Sequence, residues 1–210
     1  MNLLAFDTSL GHCAVGLMLG DRVVSRVDAM AKGQAEHLMG MLEELLAGEG
    51  VGWGDLDRIG VGTGPGNFTG IRISVAAARG LALGLGRPAV GVSSFDATAF
   101  GQPACLVALE APRGQLYVQA FATGVDPAPR LVAADLSDLP AVPQGCAILG
   151  SGAERLIEAG FGQPGTALPF AEGLVRAAAA MPQDSPRPAP LYLRPADAAP
   201  PRDAPPVVVP

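Results

Sequence analysis

The chain has 210 residues, of which 49% are hydrophobic and 16% charged. This excludes a disordered polyelectrolyte and leaves room for one large domain or two small ones around a buried core. The formal charge is -6 and Lys32 is the only lysine against 13 arginines, so the basic stripe that releases counterions from nucleic-acid phosphates is missing and no strong direct nucleic-acid binding is expected. Cys13, Cys105 and Cys146 stand far apart in apolar segments, an odd set that reads as buried free thiols. The start, Met1-Asn2-Leu3-Leu4-Ala5-Phe6-Asp7, has no basic leader region, and the stretch 71–86 is interrupted by Arg72 and Arg79. The expectation is a cytoplasmic protein with no membrane partner.

Residues 3–6 form a continuous apolar run, the mark of a central strand buried on both faces. Turn residues at 7–11 and at Gly20-Asp21 separate it from two further strands over 13–19 and 22–29, which makes an antiparallel start to a sheet. A helix is predicted over 34–47, with Leu38, Leu42, Leu45 and Leu46 at helical spacing, Met39 and Met41 widening the stripe, and Gly48 and Gly50 ending it. A strand over 57–62 then runs through a glycine-rich loop into a helix over 71–85, and a strand at 89–92 follows. The order βββαβαβ, hairpins first, is that of an RNase H-like or actin-like half.

A second unit is expected from about residue 102. Segments 105–111 and 116–123 face each other across Pro112-Arg113-Gly114 as a hairpin, a strand at 147–149 leads into a helix over 153–159, and a last helix covers 171–181. Beyond, residues 182–210 hold ten prolines and read as an extended or disordered tail in which only Leu191-Tyr192-Leu193-Arg194 looks able to dock. The division is therefore 1–101, 102–181 and 182–210.

Two local patterns could carry chemistry. Gly64-Pro65-Gly66-Asn67-Phe68-Thr69-Gly70 runs into a helix, and glycine-rich turns at helix N-termini expose amides that attract anions. The loop has no Lys-Ser/Thr ending and no Gly-x-Gly-x-x-Gly spacing, and a tight strand-to-helix turn would look the same. Asp7, Thr8 and Ser9 close the first strand, where an acidic and hydroxylic turn could hold metal and phosphate; these residues also form ordinary turns. His12 and His37 lie on different elements without an i, i+4 partner, and Gly-x-Ser-x-Gly is absent, so neither a metal pair nor a nucleophile elbow is present.

Taken together, the Asp7-Thr8-Ser9 turn, a helix, and the loop 64–70 followed by Ile71-Arg72 closely resemble the TsaB family, also called YeaZ. The resemblance continues through residues 82–93, through Leu109-Glu110-Ala111-Pro112-Arg113-Gly114-Gln115-Leu116-Tyr117, and through Pro190-Leu191-Tyr192-Leu193-Arg194. The chain departs from the family at Asn67 (usually Ser), Glu110 (usually Asp) and Gln34 (often His). The resemblance implies an α/β, actin-like fold of two RNase H-like lobes, the second reduced. It also implies a non-catalytic subunit that pairs with a catalytic TsaD homologue and works with a TsaE-like ATPase. That assembly threonylcarbamoylates the adenosine beside the anticodon in tRNAs reading codons that begin with adenine. No cofactor is then required by this chain, with ATP and metal expected on the partner subunits, and Asp7, Thr8, Ser9, Gly64, Gly66, Asn67 and Thr69 become a vestigial phosphate site. A small ATPase or kinase using Asp7 and the loop is the enzymatic alternative.

For pairing, the helix over 71–85 is apolar nearly all round, with Ala76, Gly80 and Gly84 recurring on one face where another helix could approach closely. Leu38, Met39, Leu42, Leu46 and Arg72 are expected to join that face as the partner interface, used by a homodimer when the chain is alone; complete burial of the apolar faces within the monomer is the alternative.

Overall fold

A computed structural model describes residues 1–142 and 145–194. The apolar run at the N-terminus is strand β1 (Asn2–Asp7), flanked by the antiparallel β2 (His12–Leu19), which carries β3 (Arg22–Ala29) at the sheet edge. Helix α1 (Gln34–Gly48) precedes β4 (Arg58–Gly62), and α2 (Phe68–Leu85) precedes β5 (Ala89–Val92). Strands β4 and β5 add in parallel, so the first sheet runs β3-β2-β1-β4-β5 with β1 central, as its two-faced burial requires.

The chain then crosses through α3 (Ser94–Ala99) into β6 (Cys105–Glu110), β7 (Leu116–Phe121) and β8 (Arg130–Val132). After β9 (Ala147–Leu149) and α4 (Ala153–Glu158) come β10 (Gln163–Pro164) and α5 (Phe170–Ala180). The second sheet runs β8-β7-β6-β9-β10, with β6 in the place of β1 and the same senses of pairing. This is an actin-like fold of two RNase H-like lobes. The second is reduced: its sheet repeats the order of the first with shorter strands, and no helix stands between β8 and β9 among the described residues.

The lobes exchange their last helices. Helix α3, which follows the first sheet, packs on β6 and β7, and α5, which follows the second, lies across the first sheet; the two helices also pack on each other. Close approach of α5 is permitted by Gly60, where a Cβ would come within 2.6 Å of the Ala178 Cβ. The buried Arg58 of β4 donates to the carbonyls of Ala178 (3.2 Å) and Met181 (2.7 Å), which satisfies and charge-complements the C-terminal end of α5. The first sheet is thus enclosed by α1 and α2 over Leu4, Phe6 and Val61, and by α5 over Leu3, Ala5 and Val92.

Four elements differ from the sequence expectation. Helix α2 begins at Phe68 because Asn67 caps it, accepting from the amides of Thr69 and Gly70 at 3.0 Å each. Helix α3 is absent from the sequence expectation, although Ser93 and Asp96 form a reciprocal capping box. Strands β8 and β10, of three and two residues, were not expected. By length and composition α2 would qualify as a bilayer span; in this fold Ile71, Ser74, Val75 and Ala78 are buried on the sheet. The expectation of an extended tail falls for residues 195–210 outside the described residues.

Candidate functional site

The structure brings the two sequence patterns together. Asp7, Thr8 and Ser9 turn out of β1, and the loop 64–70 folds directly over them: Asn67 N–H donates to the Ser9 carbonyl (2.6 Å) and the Thr8 hydroxyl to the Gly70 carbonyl (2.7 Å). A Cβ at Gly66 would collide with the Ser9 carbonyl oxygen, one at Gly70 with that of Thr8, and one at Gly62 with the Asp7 carboxylate. Glycine is therefore needed here for close backbone approach. Gly64, at φ 93, adds a conformation that L side chains rarely adopt. The Gly64 carbonyl accepts from Ser94 N–H (2.7 Å), which ties the loop to α3.

The chemistry of this cluster is turned inward. Asp7, Thr8 and Ser9 are fully buried. One carboxylate oxygen of Asp7 accepts from the amide and hydroxyl of Ser9, both at 2.9 Å; the other, like His12 Nε2, has no hydrogen-bond partner. The His12 ring lies 3.3 Å from Asp7, within ion-pair range though not aligned for a hydrogen bond, and its ring centroid is 5.2 Å from that of Phe170 in α5. The α2 amides that would receive a phosphate, those of Thr69 and Gly70, already donate to the Asn67 side chain. His37 is engaged at 2.7 Å by Asp28, whose carboxyl is held below the usual carboxylate range first by Arg26 and then by His37. Burial pushes the Cys13 thiol up to about 11.

The expected interface residues separate into two groups. Leu38, Leu42 and Leu46 are corrected: they lie in the protein's own core beneath α1, because their helical stripe is covered by the first sheet and α2. Met39 is on the open side of α1, at 38% exposure. Arg72, Ala76, Gly80 and Gly84 are all exposed on α2, a Cβ at Gly80 or Gly84 would meet nothing within 4 Å, and Leu83 beside them is 86% exposed. Neighbouring features were not anticipated. Arg72 stacks over the Phe68 ring at 3.7 Å and donates to the Tyr192 hydroxyl at 3.1 Å. Beside them, a cleft of about 440 Å³ opens between the loop 65–68, the hairpin turn at Pro112 and Arg113, and residues 191–194. Arg113 holds a left-handed backbone at φ 61, and its place before Gly114 in the turn was the available sequence signal.

Comparison with known proteins places these features in a family. The TsaD family, described as tRNA N6-adenosine threonylcarbamoyltransferase, matches residues 28–131. The tRNA threonylcarbamoyladenosine biosynthesis protein TsaB of Escherichia coli is 32% identical over 123 residues, covering 56% of this chain and 53% of that protein. The chain thus spans about half the length of the curated TsaB relatives it matches. An uncharacterized Mycobacterium tuberculosis protein is 36% identical over 210 residues, 94% of each chain. Among solved structures, YeaZ from Pseudomonas aeruginosa aligns with TM-score 0.69 at 26% identity, covering 91% of this chain and 99% of that one. A P. aeruginosa protein described as similar to peptidase YeaZ aligns with TM-score 0.74 at 27% identity, covering 92% and 99%. With both lobes shared with YeaZ and its sequence aligned to TsaB, the chain belongs to the TsaB (YeaZ) family.

Proposed function

We propose that this chain is a non-catalytic subunit of a tRNA threonylcarbamoyladenosine system. It pairs with a TsaD-like catalytic subunit through the open face of α2, Arg72, Ala76, Gly80 and Gly84 with Met39 of α1 alongside. A TsaE-like ATPase completes the assembly, which acts in the cytoplasm on the adenosine beside the anticodon of tRNAs reading codons that begin with adenine. Alone, the chain forms a homodimer through the same face. Catalysis, ATP and metal belong to the partners, and the chain itself does not grip tRNA strongly.

The observation that carries this reading is the contrast between a self-filled cradle and an open helix. Asp7, Thr8, Ser9, Gly64, Gly66, Asn67 and Thr69 keep the layout of a phosphate site, but Asn67 occupies the amides and burial removes Asp7 from reach. We read the set as a vestige that now supports the turn. The names of the TsaB relatives supply the pathway, and the small exposed residues of α2 supply a surface that a partner helix can approach closely. No feature of the loop favours the ATPase alternative. The division of the chain at 101 and 181 remains our proposal for its functional units.

The test is reconstitution. Incubated with tRNA and threonylcarbamoyl-adenylate, the purified chain should leave tRNA unmodified until the TsaD homologue from the same genome is added, and the two should co-purify in fixed stoichiometry. Modification by this chain alone, or failure to pair, overturns the proposal. A filter-binding titration with tRNA at low salt checks the remaining point; submicromolar binding that weakens steeply with salt would reveal a basic site.

A further inference from the structure

Residues 182–194 leave α5 on the first sheet and return across α2 to the second lobe. On the first lobe their anchors are polar. Arg79 of α2 donates to the Pro188 carbonyl through Nε (2.9 Å) and Nη2, Leu191 N–H donates to the Thr63 carbonyl (2.8 Å), and Tyr192 receives the Arg72 hydrogen bond with its ring 4.8 Å from that of Phe68. Pro188 is buried, its Cα 3.4 Å from where a Cβ at Gly91 of β5 would stand. On the second lobe the anchors are apolar: Leu191 and Leu193 pack against the cluster of Phe95, Val107, Leu109 and Tyr117. The same residues 191–194 form one wall of the cleft between the lobes.

A segment held to one body by hydrogen bonds and to another by apolar contact resists any change in the angle between them, because opening must break one set. The exchanged helices α3 and α5 also connect the lobes, and they pack on each other and so provide an axis. We propose that residues 182–194 are a latch that holds the inter-lobe cleft closed, and that its release lets the lobes swing apart about the α3–α5 contact. The anchors Arg72 and Arg79 bracket Ala76 on α2, so the latch is seated on the same turns of helix that open the small-residue face. The proposal concerns the chain by itself and stands or falls independently of pairing.

The experiment uses the full chain with spin labels on Asp21→Cys in the first lobe and Glu158→Cys in the second, both exposed positions; the native thiols are buried. Pulsed dipolar spectroscopy, with each labelled protein diluted into excess unlabelled protein of the same sequence so that only distances within one chain are read, is compared for the labelled chain and for its Arg79→Ala, Tyr192→Ala form, with hydrogen exchange of the Leu191, β1 and β6 amides measured in parallel. The expected result is one narrow distance in the first protein and a shift to longer, broader distances in the second. Leu191 should lose protection while β1 and β6 keep theirs. An unchanged distance with Leu191 unprotected overturns the latch, as does retained protection at Leu191, since the named anchors then do not hold the segment. Loss of protection in β1 and β6 together with Leu191 also overturns it, because residues 182–194 are then ordinary core.

Discussion

Gly70 and Gly80 belong to one helix, and a methyl group added to each meets opposite surroundings. At Gly70 it would strike the carbonyl oxygen of Thr8; at Gly80 it would find nothing within 4 Å. Both glycines lower the intrinsic stability of the helix by about the same amount, so neither is there for the sake of helicity. On the inner side the missing side chain lets β1, the loop and α2 close on one another. On the outer side no described residue stands so close, and smallness there would admit a partner that a larger side chain would hold off. The two sides therefore teach that one residue type can close a contact at one turn of a helix and leave an open face a few turns later.

The largest effect should come from breaking the inner side. Gly70→Ala sets a Cβ against backbone that cannot swing away, because the Thr8 hydroxyl is itself bonded to the Gly70 carbonyl. Overpacking of this kind costs about 3 kcal/mol, a large share of the roughly 5–15 kcal/mol by which a domain is stable. Chemical denaturation followed by circular dichroism measures it; a midpoint equal to that of the unsubstituted chain would mean that the loop is not pressed on Thr8.

On the outer side, Gly80→Leu should leave the monomer folded and weaken pairing, with the TsaD homologue and with itself, by roughly tenfold or more, equivalent to about 1.4 kcal/mol. Sedimentation of the variant gives the pairing and circular dichroism the fold. If Gly80→Leu unfolds the monomer, the face is internal. If it stays folded and pairs normally, the open face of α2 is not the interface, and the comparison between the two sides loses its functional half.

The cap of the same helix comes next. Asn67→Ala removes the acceptor of two amides at the start of α2, and loss of such a cap costs about 1 kcal/mol. The variant sharpens the comparison in a second way, since it frees the Thr69 and Gly70 amides that the phosphate reading would need. Calorimetry with ATP should show the same absence of binding before and after the change. ATP binding that appears only in Asn67→Ala would establish that the side chain blocks a competent cradle, and binding in the unsubstituted chain would restore the ATPase alternative.

The first lobe was legible in the sequence because each of its signals is local. A continuous apolar run gives β1, glycine turns give the hairpins, and leucine spacing gives α1. The direction in which a face looks was not legible. The stripe Leu38, Leu42 and Leu46 specifies one side of a helix without saying whether sheet or partner covers it, and the sheet does. Likewise the pattern of Asp7 and the loop 64–70 announced a shared site, but that Asn67 would spend its side chain on the cradle's own amides follows from geometry alone. In the second lobe β10 has two residues, too few to show any period, and at the end of the first lobe α3 was recoverable only through the Ser93 and Asp96 box.

The smallest effect is a gain. Gly84 lies in the last turn of α2 on the open side, with nothing within 4 Å of an added Cβ, and Gly86 at φ 64 already supplies the left-handed residue that ends the helix. Among the described residues nothing needs Gly84 for a turn, a close internal contact or a cap. Gly84→Ala should stabilise the isolated chain by about 0.5 kcal/mol, the low end of the helix penalty for glycine because the last turn frays. A thermal melt of the monomer resolves a shift of that size when wild type and variant are run side by side. The outcome bears on the comparison directly. A stabilised monomer means that a more stable residue was available at no cost to the fold, so the reason for glycine lies outside the chain and should appear as weaker pairing in the same variant. A destabilised monomer would instead place an unseen neighbour over this turn, and the outer side of α2 would then be another inner side.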